Sequence, residues 1–172
     1  MKKFAVLPFL CAVTLCLSAR VLPAQSLIFL TRHAEKAESE DKNNPPLSEA
    51  GQARAKALAR ILEDTKISTI YVTEYVRTQQ TAAPTAAETE AKIKQLPAAD
   101  IPALITQLKA EPGNVLVVGH ANTLPEIIKA LGFPEPHHID DANYSNLYVV
   151  FRGEKPQLLR LHYPLKAYGQ GD

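Results

Sequence analysis

The chain has 172 residues, enough for one domain around a single core, and 46% of them are hydrophobic, which excludes a disordered chain. Its 19 basic and 18 acidic residues nearly cancel. That balance gives no support to nucleic-acid binding.

The first 25 residues stand apart. Lys2 and Lys3 give a positive start, and Phe4 to Leu17 is an apolar run too short for a comfortable membrane span. Small residues follow, with Ala19 and Ala24 as candidate cleavage points. Residues 1–25 are therefore expected to be a secretory signal, with an uncleaved membrane anchor as the alternative reading. Bulky Leu10 and Leu15 precede Cys11 and Cys16, which disfavours a lipoprotein. Both cysteines fall in this leader, so a mature chain would have no disulfide and no thiolate site. Loss of Lys2, Lys3 and Arg20 leaves 16 basic against 18 acidic residues, a net charge of −2. The expected product is one exported domain, residues 26–172, periplasmic or secreted, with no membrane span after cleavage. No feature of the sequence fixes an oligomeric state.

From residue 26 the elements alternate. Residues 26–31, SLIFLT, are an apolar run without alternation, as expected of a strand covered on both faces. Residues 37–46 are polar and end in Pro-Pro, hence a loop. A helix is predicted from Ser48 as N-cap, with Ala50, Ala53, Ala57, Leu58, Ile61 and Leu62 on its apolar stripe. Residues 68–73, STIYVT, form a second strand, and 74–89 a helix that Pro84 interrupts or kinks. A short strand is expected at 92–96. Asp100 is the expected cap of a helix over 101–110, and NVLVVG at 114–119 is a further strand. A helix follows with Asn122 as cap, Pro125 in its first turn and Gly132 as its stop. NLYVVF and QLLRLHY then read as a hairpin joined by RGEKP. The predicted class is α/β: a three-layer α/β/α single domain with a mainly parallel sheet and a C-terminal hairpin.

Ligands of such sheets bind at the carboxyl ends of the strands. There the first strand delivers Arg32 and His33, the second is followed by Arg77, and the strand at 114–119 delivers His120. Two arginines and two histidines at one edge are costly without an anion. They suit a tetrahedral oxyanion such as phosphate, since guanidinium forks match its oxygens and a neutral imidazole is a competent nucleophile. Singly, a strand-end histidine is more often a hydrogen-bonded surface residue, and a helical arginine a solvated ion-pair partner. The force lies in the combination. A metal is not expected: no carboxylate has zincin-like spacing to the histidines, and adjacent arginines repel a cation. His137 and His138 sit in a Pro-flanked loop and are not expected to act directly.

The chain resembles the histidine phosphatase superfamily, also called phosphoglycerate mutase-like, over nearly the whole mature chain. LTRHAEK is similar to its Arg-His-Gly motif, with Ala34 in the glycine position. LSEAGQARAKALA resembles the segment that follows, usually Leu-Thr-x-x-Gly-x-x-Gln-Ala. VTEYVRTQQTA resembles Ser-x-x-x-Arg-Thr-x-Gln-Thr-Ala, with Thr73 replacing Ser. VVGHANTLPEII resembles the segment holding the second histidine. The resemblance implies that His33 is a nucleophile forming a phosphohistidine. It also implies that Arg32, Arg77 and His120 bind the phosphoryl oxygens and stabilise the transition state. Water then hydrolyses the intermediate, with no cofactor or metal.

The resemblance also implies an acid that protonates the leaving oxygen. In the acid-phosphatase and phytase branch that acid follows the second histidine directly, and here Ala121 does. In the mutase branch it lies after the Arg-Thr motif, where this chain has the short segment ETEAKIKQLPAADIPAL. Asp100, Glu88, Glu35 and Glu74 are the candidates, with Asp100 favoured, although a helix cap is the commoner role for it. Compact phosphohistidine-protein phosphatases of the superfamily manage without a strong acid, and their size resembles this chain. The export signal argues against a glycolytic mutase. The short insert region implies an open pocket that would admit a phosphorylated small molecule, an envelope phosphate or a phosphoprotein. A binding protein holding a phosphorylated ligand without turnover is the alternative.

Overall fold

The computed structural model describes residues 26–134, 139–140 and 142–163. The leader with both cysteines, and His137 and His138, lie outside the described residues.

The six strands are β1 Leu27–Arg32, β2 Ile67–Val72, β3 Lys92–Gln95, β4 Asn114–Gly119, β5 Asn146–Phe151 and β6 Gln157–His162. The four helices are α1 Glu49–Leu62, α2 Val76–Thr89, α3 Ile101–Ala110 and α4 Thr123–Ala130. The sheet order is β3-β2-β4-β1-β5-β6. The strands β3, β2, β4 and β1 run parallel, while β5 and β6 are antiparallel and form the hairpin.

The pleat splits each central strand between two cores. Ile28, Leu30, Val115 and Val117 face Leu104, Leu108, Leu124 and Ile128 of α3 and α4. Phe29, Leu116 and Val118 face Leu58 and Leu62 of α1 and Ala82 of α2. With helices on both faces, β1 and β4 have no polar side, which is why their sequences do not alternate. The expected three-layer α/β/α domain is the one observed.

Three local expectations need correction. The buried stripe of α1 is Gly51, Arg54, Ala55, Leu58, Ala59 and Leu62, whereas Ala50, Ala53 and Ile61 are exposed, Ile61 by 48%. The helix is turned by about one residue, roughly 100°. The cause is its contact with the loop after β1. The Ser48 amide donates to Glu35 O at 2.9 Å, and a side chain at Gly51 would run into the Glu35 backbone. Pro84 does not interrupt α2, which continues to Thr89. Asn122 makes no side-chain cap on α4; Thr123 Oγ1 accepts from the His120 amide instead, at 3.1 Å. Ser48 and Asp100 cap α1 and α3 as expected, accepting from the Gly51 and Ala103 amides.

Candidate functional site

The register of the two central strands creates the site. Arg32 is paired with Gly119, and the His33 amide donates to Gly119 O at 2.9 Å. The next residues, His33 and His120, are thereby forced together, with ring centroids 5.3 Å apart and planes at 62°. Both are buried, at 4% and 7% exposure.

The His33 ring has a defined orientation. Its Nδ1 lies 2.8 Å from Ala34 O. A carbonyl only accepts, so Nδ1 carries the hydrogen and the lone pair of the neutral ring is on Nε2. Burial above all pushes the His33 pKa down to about 3, the Ala34 carbonyl opposes this, and the Arg32, His120 and Arg77 charges lower it further. At neutral pH the ring is therefore unprotonated. Ala34 is itself fully buried against Leu47 and Ala55, and its amide donates to Thr81 Oγ1 at 2.9 Å. The site has room for a methyl where the motif usually has glycine.

Arg77 projects from the first turn of α2. Its guanidinium lies 4.2 Å from the centre of the Tyr75 ring, and Nη1 donates to Asn43 O at 3.3 Å. Its Nε is buried with no hydrogen-bond partner among the described residues. Arg32 stacks in the same manner on Tyr144, at 4.2 Å, and Nη1 reaches Asp140 O at 3.5 Å. Stacking positions a guanidinium without using its in-plane donors. His120 meets Tyr75 edge-on at 5.2 Å and Thr73 Oγ1 at 3.0 Å through Nε2. Burial first, then Arg77, lowers its pKa to about 4, with Arg32 adding and Glu74 opposing.

The rest of the Arg-Thr motif holds the neighbouring loop. Gln80 Oε1 accepts from the Leu47 amide at 2.7 Å, and Thr81 holds Ala34. Asn44 Oδ1 accepts from the Val76 amide at 2.9 Å, capping α2 from the loop.

The four candidate acids are dispersed. Glu35 forms a two-pronged ion pair with Arg54, as close as 2.6 Å. Asp100 caps α3 and borders a small apolar cavity shared with Thr73, Gly119 and Thr123. Glu88 is exposed near the far end of α2, about 16 Å along the helix from Arg77. Glu74 alone has a charge felt by both His120 and Arg77; its Oε2 accepts from the Ala98 amide at 2.8 Å. Among the described residues no three His, Cys, Asp or Glu side chains are grouped to hold a metal ion. No helix there is long and apolar enough to cross a membrane.

Sequence reasoning missed Tyr75, Tyr144, Asn43 and Asn44. An aromatic two residues before the motif arginine was a usable signal for Tyr75. Tyr144 had none, since it enters from the approach to β5, more than 100 residues after Arg32.

Residues 28–100 match the family model of the histidine phosphatase superfamily (branch 1). The match takes in His33 and Arg77 and ends before His120. No curated protein matches significantly. Among solved structures, the protein histidine phosphatase SixA complexed with tungstate superposes with a TM-score of 0.67 at 19% identity, covering 79% of this chain and 96% of that one. A mycobacterial glucosyl-3-phosphoglycerate phosphatase complexed with VO3 gives 0.61 at 15% identity, covering 78% and 97%. Bacillus stearothermophilus YhfR gives 0.60 at 16% identity, covering 75% and 92%. Residues 28–100 thus resemble the histidine phosphatase superfamily (branch 1), and the fold is that of the compact SixA structures on which the chain superposes.

Proposed function

We propose that the protein is a metal-independent phosphatase that works through a phosphohistidine on His33. The observation that carries this reading is the His33 ring: buried, unprotonated at neutral pH, its Nδ1–H spent on Ala34 O and its Nε2 lone pair free beside two stacked arginines. In the proposed reaction Nε2 forms a bond to phosphorus as the bond to the leaving group breaks. Arg32, Arg77 and His120 hold the phosphoryl oxygens. Water then attacks the phosphohistidine, releasing phosphate and restoring the neutral ring. Glu74 is the carboxylate assigned to supply a proton to an alkoxide leaving group, because its charge reaches both His120 and Arg77, whereas Glu35 is paired with Arg54. The oxyanions tungstate and VO3 bound by the two relatives support an oxyanion pocket here.

The substrates proposed are phosphomonoesters of small molecules, phosphate groups of the cell envelope, or phosphoproteins. The enzyme would act outside the cytoplasm, after residues 1–25 have directed export. The test is hydrolysis of an aryl phosphate by the purified chain, with and without EDTA, beside His33→Ala. Hydrolysis that survives EDTA, is inhibited competitively by vanadate and is lost in His33→Ala is the expected result. Activity that requires an added divalent ion, or that persists in His33→Ala, would overturn the mechanism.

A further inference from the structure

The hydroxyl chain beneath His120 has no part in the reaction just described. We infer that Thr78 and Thr73 are positioning residues that fix the His120 proton on Nε2, leaving Nδ1 as the atom that takes up a proton when a phosphate anion binds. The inference rests on the proposed oxyanion site but not on turnover.

The direction of the chain follows from counting hydrogens. Thr78 Oγ1 lies 2.8 Å from Tyr75 O and 3.2 Å from Thr73 O. Carbonyl oxygens only accept, so the single Thr78 hydroxyl hydrogen is committed to them. The Thr73 amide donates to the same oxygen at 3.1 Å. Toward Thr73 Oγ1, 3.0 Å away, Thr78 therefore accepts and Thr73 donates. Thr73 then has no hydrogen left for His120 Nε2, also 3.0 Å away, and must accept from it. The Tyr75 amide donates weakly to Thr73 Oγ1 as well, at 3.4 Å. Thr78 is fully buried and Thr73 is 9% exposed, so water does not readily substitute for either hydroxyl.

An Nε2–H tautomer leaves the Nδ1 lone pair to receive a proton. The groups around His120 decide when it does. The His33 ring faces it from the end of β1, the Tyr75 ring from the start of α2, and Thr123 of α4 bonds only to its backbone amide and carbonyl. Burial above all, then Arg77 and Arg32, opposes protonation, and Glu74 favours it. A phosphate dianion between the arginines reverses their effect, and the ring gains a proton from solvent with no heavy-atom bond changed. Thr73 already presents an acceptor to the resulting imidazolium, so no reorganisation is needed at that nitrogen.

Nitrogen NMR of the 15N-histidine-labelled chain, with and without inorganic phosphate, tests this directly. The expected free state at pH 7 has a neutral His120 with hydrogen on Nε2. The expected phosphate-bound state has both nitrogens protonated. Thr73→Val should give mixed tautomers, lower the His120 pKa in the complex, and reduce kcat on an aryl phosphate by on the order of tenfold. Thr73→Ser should restore all three. An Nδ1–H tautomer in the wild-type protein, or no protonation on phosphate binding, overturns the inference even if the variants fail to fold. A folded Thr73→Val with the wild-type tautomer and pH profile overturns it too. Protonation on phosphate binding without aryl phosphate hydrolysis upholds the relay while sinking the phosphatase reading.

Discussion

Two corners meet at the loop after β1, and they use arginine in opposite ways. At Glu35 every nitrogen of the Arg54 guanidinium has a partner: Nε and Nη2 bind the carboxylate, and Nη1 donates to Tyr163 O at 3.1 Å. Two residues earlier, at His33, Arg77 stacks on a ring, spends Nη1 on a longish bond to Asn43 O, and keeps Nε without a partner among the described residues. A buried charge with its acceptors supplied belongs to the architecture. A half-buried charge with a donor to spare is costly to the empty protein and is available to a ligand.

Substitutions should therefore separate activity from stability along this divide. The largest effect is expected from His33→Ala. Turnover of an aryl phosphate should disappear, along with acid-labile, base-stable phosphate trapped on the protein, while the melting temperature stays near that of the wild type. Residual full activity would remove His33 from the nucleophile role.

Arg77→Ala should lower kcat/KM by about two orders of magnitude, roughly 3 kcal/mol of transition-state stabilisation, with little change in unfolding free energy. Arg77→Lys should recover only part, because an ammonium lacks the planar fork. A Lys variant with wild-type kinetics would place Arg77 among ordinary surface cations.

The other corner should respond inversely. Arg54→Ala leaves Glu35 without its partner and should cost on the order of 3 kcal/mol of stability by chemical denaturation. The fraction that remains folded should lose far less activity than Arg77→Ala does. Gly51→Ala should destabilise by about 1–3 kcal/mol, since its Cβ would press on the Glu35 backbone. If Arg54→Ala instead removed activity from a fully stable protein, the division between the corners would fail.

Acidification tests the burial of the two histidines. Folding lowers the pKa of His33 from 6.5 to about 3 and of His120 to about 4. Between those values and 6.5 the unfolded chain binds more protons than the folded one, so stability rises with pH there and levels off above about 6.5. Denaturation midpoints measured from pH 4 to 7.5 should fall on acidification, and less steeply in His33→Ala. A flat profile in both proteins would mean that these rings are not desolvated as described.

The sequence by itself determined the layered α/β class, the order of the elements and the strand tips that carry Arg32, His33 and His120. Unbroken apolar runs such as SLIFLT and NVLVVG demand burial on both faces, and parallel strands then send their carboxyl ends to one edge. Local caps at Ser48 and Asp100 were equally legible, because they depend on residues three positions apart. What only the tertiary structure decided was how each polar side chain is used. The sequence offered Glu35, Glu74, Glu88 and Asp100 as carboxylates, with Asp100 favoured; packing gave Glu35 to Arg54, Asp100 to a helix end and Glu88 to solvent, and put Glu74 on the Ala98 amide, where its charge still reaches His120. The rotation of α1 also escaped prediction, because an alanine-rich helix reads almost equally well on neighbouring stripes until Gly51 and Arg54 meet the loop. Tyr144 and the Thr78–Thr73–His120 chain arise from contacts between distant segments. Their hydrogen bonds and stacking depend on distances and directions in space, which spacing along the chain does not encode.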